Sequence, residues 1–269
     1  MSSSLPDCLP PPLPAMPLAV AGAPPLSAPR PPRTWYFIGT TLFGVGMFAV
    51  QQLALIATFV VAFVLSGAEP ESAPEQLRAM THDGRWVALG VIVACPLLLG
   101  ALWIPIRIAR RRFSEYLALR WPERREIVRG VAMLCALVLV WFLFRLLLGR
   151  PKPQFMIEMY RSAKASGSLG VLIIGFCVAA PIAEELLVRG FLFRGWSQSF
   201  LGVWGAIVLS SAVWTAPHTQ YNWFYMSQIF ALGILLGYLR HRSGSTWLTV
   251  ILHAANNAAA VGLVALGVG

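Results

Sequence analysis

The sequence predicts an all-α fold, a polytopic membrane bundle of about seven transmembrane helices, and three observations carry that expectation. Composition is the first: of 269 residues, 57% are hydrophobic and only 12% charged, whereas a soluble domain has about a quarter of its residues charged. A globule of this size needs a polar shell over most of its outside, so lipid must face the remainder. The second is a series of apolar runs near the roughly 20 residues that cross the hydrocarbon as helix. The third is that none of these runs alternates as a barrel strand does, and an open strand would leave backbone groups unpaired in lipid.

Taken in order, residues 1–33 are dense in proline and poor in anything that could pack, so they are expected to form a disordered cytoplasmic tail. They do not read as a cleaved signal, because Arg30 and Arg33 come after the stretch and prolines interrupt any apolar segment. The bundle is assigned to 34–269. Its first run, Trp35–Ser66, is long enough for a tilted span or a span with an interfacial extension. The others are Trp86–Ile106, Gly130–Leu148, Leu169–Phe193, Leu201–His218, Trp223–Leu239 and Thr246–Leu266.

Loop charge predicts orientation. Between the second and third runs lie Arg107, Arg110, Arg111, Arg112, Arg120, Arg124, Arg125 and Arg129, and the Arg240-His241-Arg242 turn falls on the same side. That side is expected to be cytoplasmic, with the N-terminus on it, in a plasma or inner membrane. Arg150, Lys152, Arg161 and Lys164 form a smaller group on the other side. The formal charge of +10 is then accounted for by arginines at anionic headgroups, so the expected partners are the lipid bilayer and a peptide or protein substrate, with no nucleic acid. Cys8, Cys95, Cys135 and Cys177 show no paired spacing, which argues against disulfides and cysteine metal sites.

Ionisable groups inside spans are costly, so those present are candidates for function. Within the fourth to seventh runs they are Glu184, Glu185 and Arg189 in one run, His218 in the next, and His253, with the polar Asn256 and Asn257 after it, in the last. Glu185 and Arg189, four apart with the acid first, suit an ion pair on one helix face. Glu184 points about 100° away and is left free to face a cavity.

Counting along antiparallel helices brings these groups together. Glu184 and His218 are equally far in sequence from a turn near Leu201, about 25 Å at the helical rise, and a second turn near Ser243-Gly244 returns His253 and Asn257 to a similar depth. Such a set suits hydrolysis: a carboxylate with a histidine can deprotonate water, and a second histidine with an amide can donate to an oxyanion. An isolated buried glutamate would be neutral, so the base role needs a cationic or metal neighbour, His218 being the nearest. In the other arrangement Glu184, His218 and His253 bind a divalent metal, most readily zinc, with an open position for water. The residues leave both open, the cofactor being either none or zinc.

Glu184-Glu185-x-x-x-Arg189, Trp214-x-x-x-His218 and His253-x-x-x-Asn257 together resemble the motifs of the CAAX prenyl protease and bacteriocin-processing (Abi) family of intramembrane proteases. The resemblance covers about 90–267 and includes Tyr116-Leu-Ala-Leu-Arg-Trp-Pro122 ahead of the core; Trp214 stands where phenylalanine is frequent. It implies an all-helical endopeptidase in which Glu184 and His218 activate water and His253 and Asn257 stabilise the oxyanion. Members have been described both as metalloproteases and as metal-free glutamate proteases.

Two other classes fit part of the pattern. A proton-coupled transporter would use the same groups as a relay, but two related halves with paired broken spans are not visible. A catalytically inactive scaffold would need only the helices and the proline-rich tail, leaving the polar set without a use.

Overall fold

The computed structural model describes residues 34–267, and the proline-rich stretch 1–33 lies outside them. The described residues form helices and no strand. The longer helices are α1 (Tyr36–Leu65), α2 (Ala73–Thr81), α3 (Gly84–Ile108), α4 (Arg124–Leu147), α5 (Gln154–Ala165), α6 (Leu169–Ser197), α7 (Gly202–Thr215), α8 (Trp223–Ser243) and α9 (Thr246–Ala265).

All seven apolar runs are helical, but not all are alike. Five helices, α1, α3, α4, α6 and α9, are long and apolar enough to cross a membrane. Helix α7 has 14 residues, about 21 Å at the helical rise, which is short of a full crossing. Helix α8 has the length, 21 residues, but Arg240, His241 and Arg242 in its last turn and Ser227 and Gln228 in its second dilute it. The described residues are therefore those of an all-α, multi-pass integral membrane protein, with five helices long and apolar enough to cross and α7 and α8 as the shorter and the more polar of the seven apolar runs.

Small residues let the helices approach, as expected where lipid supplies no hydrophobic drive between them. A Cβ on Gly175 of α6 would overlap Ala88 of α3, and one on Gly233 of α8 would overlap Ser211 of α7. Gly195 in α6 lies hard against Thr40 of α1. Helix α1 is pinned further by indole hydrogen bonds: Trp35 Nε1 donates to the Pro105 carbonyl at 3.1 Å, and Trp196 Nε1 to Thr41 Oγ1 at 3.0 Å.

Both basic segments come to one end of the bundle. Arg120 donates to the Ser243 carbonyl, and the hydroxyls of Ser245 and Thr246 donate to the carbonyls of Arg120 and Leu117. Helices α4 and α9 thus start from the same end and run side by side, with Gly130 level with Leu252. Between them and the core sits Tyr116, fully buried, stacked on Phe191 at 5.6 Å and capped by the Arg194 guanidinium at 5.0 Å.

Candidate active site

Helix α6 carries the two glutamates, and its winding is irregular on either side of them. At Gly175–Ala179 and again at Leu186–Leu192 the backbone takes wide π turns, a feature that often marks functional positions. Pro181 explains part of this: it has no N–H, and its ring would strike the carbonyl four residues back in a regular helix, so the preceding turn widens.

Between these turns Glu185, and within the second Arg189, are both 0% exposed. Arg189 Nη1 donates to Glu185 Oε1 at 2.8 Å and Nη2 to the Gly233 carbonyl at 3.2 Å. Its guanidinium lies over the Trp214 ring, 4.5 Å from the centroid. Two buried charges are tolerable only when paired and hydrogen-bonded in this way.

Glu184 turns the other way, half-buried, into a cavity of about 500 Å³. The cavity wall also includes Trp214, His218, His253, Asn256 and Asn257, among mostly apolar side chains of α3, α4, α5, α8 and α9. The groups singled out on three separate runs thus face one space, with Glu185 and Arg189 behind it.

The bonding within the set differs from the expectation in three respects. Glu184 does not bond to His218; its Oε2 accepts from Trp214 Nε1 at 2.6 Å. The same tryptophan holds the histidine, because its carbonyl lies 2.8 Å from His218 Nδ1. A carbonyl can only accept, so Nδ1 carries the proton and the neutral ring keeps its lone pair on Nε2. Trp214, noted in the sequence only as an aromatic variant, is the bridge between acid and base.

His253 is also tied. Its Nδ1 lies 3.0 Å from Glu185 Oε1, and its ring meets the Trp214 ring edge-on at 5.2 Å. Asn257 Nδ2 donates to the Phe176 carbonyl at 2.8 Å, a group in the first wide turn of α6. One amide hydrogen of Asn257 therefore fastens α9 to α6 and one is left over.

The third difference concerns metal. Among the described residues no three histidine, cysteine, aspartate or glutamate side chains come close enough together to hold an ion. The zinc arrangement of Glu184, His218 and His253 is thus not formed by the residues as placed. Cys95, Cys135 and Cys177 are free thiols, with no disulfide among the described residues.

Tyr221 was not foreseen. It sits in the connection between α7 and α8, stacks on His218 with centroids 6.5 Å apart, and lines the cavity. Its phenol adds a hydroxyl to the wall beside His218. Nothing in the sequence marks it, because a tyrosine three residues beyond a histidine is unremarkable without the turn that folds it back.

Comparison with known proteins points to the same segment. The chain is 28% identical over 130 residues to an uncharacterized 24.3 kDa protein of Escherichia coli, covering 46% of this chain and 59% of that protein. The chain thus spans about three-fifths of that relative's length. No solved structure matches. The family model described as type II CAAX prenyl endopeptidase Rce1-like matches residues 166–259. That model is of the family that the three motifs resemble, and the stretch it matches is the one that bears Glu184, His218, His253 and Asn257.

Proposed function

We propose that the chain is an intramembrane endopeptidase in which Glu184 and His218 activate water against a peptide carbonyl. The observation that carries this reading is that Glu184, His218, His253 and Asn257 share one cavity with mostly apolar walls. The family match supports a membrane peptidase at the coarser level.

The roles follow from the bonding. Trp214 Nε1 donates to one oxygen of Glu184, which fixes the carboxyl group and leaves the other oxygen to accept from water. His218, with its Nδ1 proton committed to a carbonyl, offers Nε2 to the same water. The water oxygen attacks the carbonyl carbon while its proton passes to this pair, and the pair returns the proton to the departing amine nitrogen as the C–N bond breaks. The second amide hydrogen of Asn257 donates to the oxyanion. His253, held by Glu185 Oε1 at its Nδ1, stands on the same wall and is assigned to the oxyanion with it. No step is routed through a metal.

The basic end of the bundle, where α1 begins and the arginine-rich segment lies, is placed at the cytoplasmic face of a plasma or inner membrane. The substrate is a peptide or membrane protein segment. The test is a proteomic comparison of membrane fractions from cells carrying the wild-type protein or Glu184→Gln. Peptides that accumulate uncut only with the variant, at equal protein levels, are the expected result. Equal cleavage by both would overturn the mechanism, and substrate uptake by both without cleavage would favour a transporter.

A further inference from the structure

The cavity is open toward one end of the bundle and shut toward the other. Arg120 and Arg194 gather the arginine-rich connection, the end of α8 and the end of α6 at the basic end. Every described wall residue comes from the part of its helix away from that end, the last ones being Val91 on α3, Leu137 on α4, Glu184 on α6, Leu232 on α8 and His253 on α9. The connections at the far end also contribute, Pro153 before α5 and Gln220 and Tyr221 between α7 and α8, and Gln220 is exposed.

Toward the basic end the bundle is packed. Leu134, Leu187, Leu236 and Thr249 stand about one turn nearer that end than the last wall residues of α4, α6, α8 and α9, and all four are buried. Below them Tyr116 and Leu117 are 0% exposed, and the Thr246 hydroxyl donates to the Leu117 carbonyl. From Glu184 to Ser197 at the end of α6 the helical rise amounts to about 20 Å. A close-packed layer of that depth leaves no passage for water or a peptide.

We infer that substrate and water enter from the far end, so that the substrate is a membrane-inserted peptide segment cut near its extracytoplasmic end. This rests on the peptidase reading and on the basic end being cytoplasmic, and adds the side and depth of the cut. Glu184 stands about 22 Å from the far end of α6 at Leu169, so an extended peptide reaches it with roughly six or seven residues. A tail that is free only in the cytoplasm is not a substrate.

The test uses the full chain in bacterial spheroplasts and in inverted vesicles, with a small membrane-impermeant methanethiosulfonate reagent. Modified positions are read by mass spectrometry. Ala180→Cys probes the cavity, Gln220→Cys its rim and Arg242→Cys the basic end; Gln228→Cys is a second cavity probe should Ala180→Cys fail to fold. The cavity and rim cysteines are expected to react in spheroplasts and to lose that reaction in inverted vesicles, with Arg242→Cys showing the reverse. A cavity cysteine that reacts from the side of Arg242→Cys, or from neither side, overturns the inference. So does a rim cysteine that reacts only in inverted vesicles, because the mouth would then face the cytoplasm. Single-span reporters with one apolar segment in each orientation are then expressed with the wild type or Glu184→Gln, and fragments that only the wild type makes are mapped. Cuts within the outer part of the segment are expected. Cuts at its cytoplasmic end would keep the peptidase and reject the outer entrance. Outer labelling with both reporters left whole would keep the entrance and reject the peptidase.

Discussion

His253 and Arg189 share one oxygen of Glu185: His253 Nδ1 lies 3.0 Å from Oε1, and Arg189 Nη1 donates to it at 2.8 Å. The second motif glutamate is therefore the point at which the last helix is fixed to α6. Removing it strands a guanidinium and an imidazole together. Glu185→Ala should destabilise the protein by about 3–5 kcal/mol, the usual cost of leaving a buried charge unpaired. The thermal midpoint of the detergent-solubilised protein measures this. The double replacement Glu185→Leu with Arg189→Met should be less damaging than either single change, and equal midpoints in all three would argue that the pair carries little stability.

Trp214 offers a cleaner separation of folding from activity. Trp214→Phe keeps an aromatic face over Arg189 but deletes the indole donor to Glu184. It should lower kcat about tenfold or more, the loss of one hydrogen bond to a charged group, with little change in yield. A kcat equal to wild type would remove the tryptophan from the mechanism.

The bundle was legible in the sequence because apolar length is a direct consequence of bilayer thickness. The meeting of residues 184, 218, 253 and 257 in one hollow was legible by counting from turns, since helices of known rise return to known depths. Their bonding was not. That Glu184 is held by an indole and His253 by Glu185 depends on ring orientations, and the wide turns at Gly175–Ala179 and Leu186–Leu192 change which residues share a face. The shortness of α7 was hidden because the apolar run continues past Thr215, where the helix ends before Pro217.

Contact between α1 and α6 makes a prediction outside the motifs. A methyl group at Gly195 would overlap Thr40, so Gly195→Ala should cost about 1–3 kcal/mol from overpacking. Thr40→Gly in the same chain should recover part of the loss. If Gly195→Ala alone is neutral in thermal unfolding, α1 is not held closely against the core.

Cleavage should survive chelation, because no three donors converge among the described residues. Metal content and activity of the purified protein, before and after treatment with chelator, are the measurement. Stoichiometric zinc that leaves together with activity, and restores it on return, would show that the donor set rearranges around an ion.

Helix α7 ends after 14 residues, about 21 Å, although the oily slab it stands in is about 30 Å deep. The irregular stretch that follows, with His218 and Tyr221 on it, is thereby submerged, and acyl chains next to it must shorten or bend to keep contact. The protein should press a dimple into its surroundings. Short-chain lipids relieve that deformation and long-chain ones aggravate it, so acyl length alone should tune turnover in reconstituted vesicles and bias the protein toward thin regions of a cell's membranes.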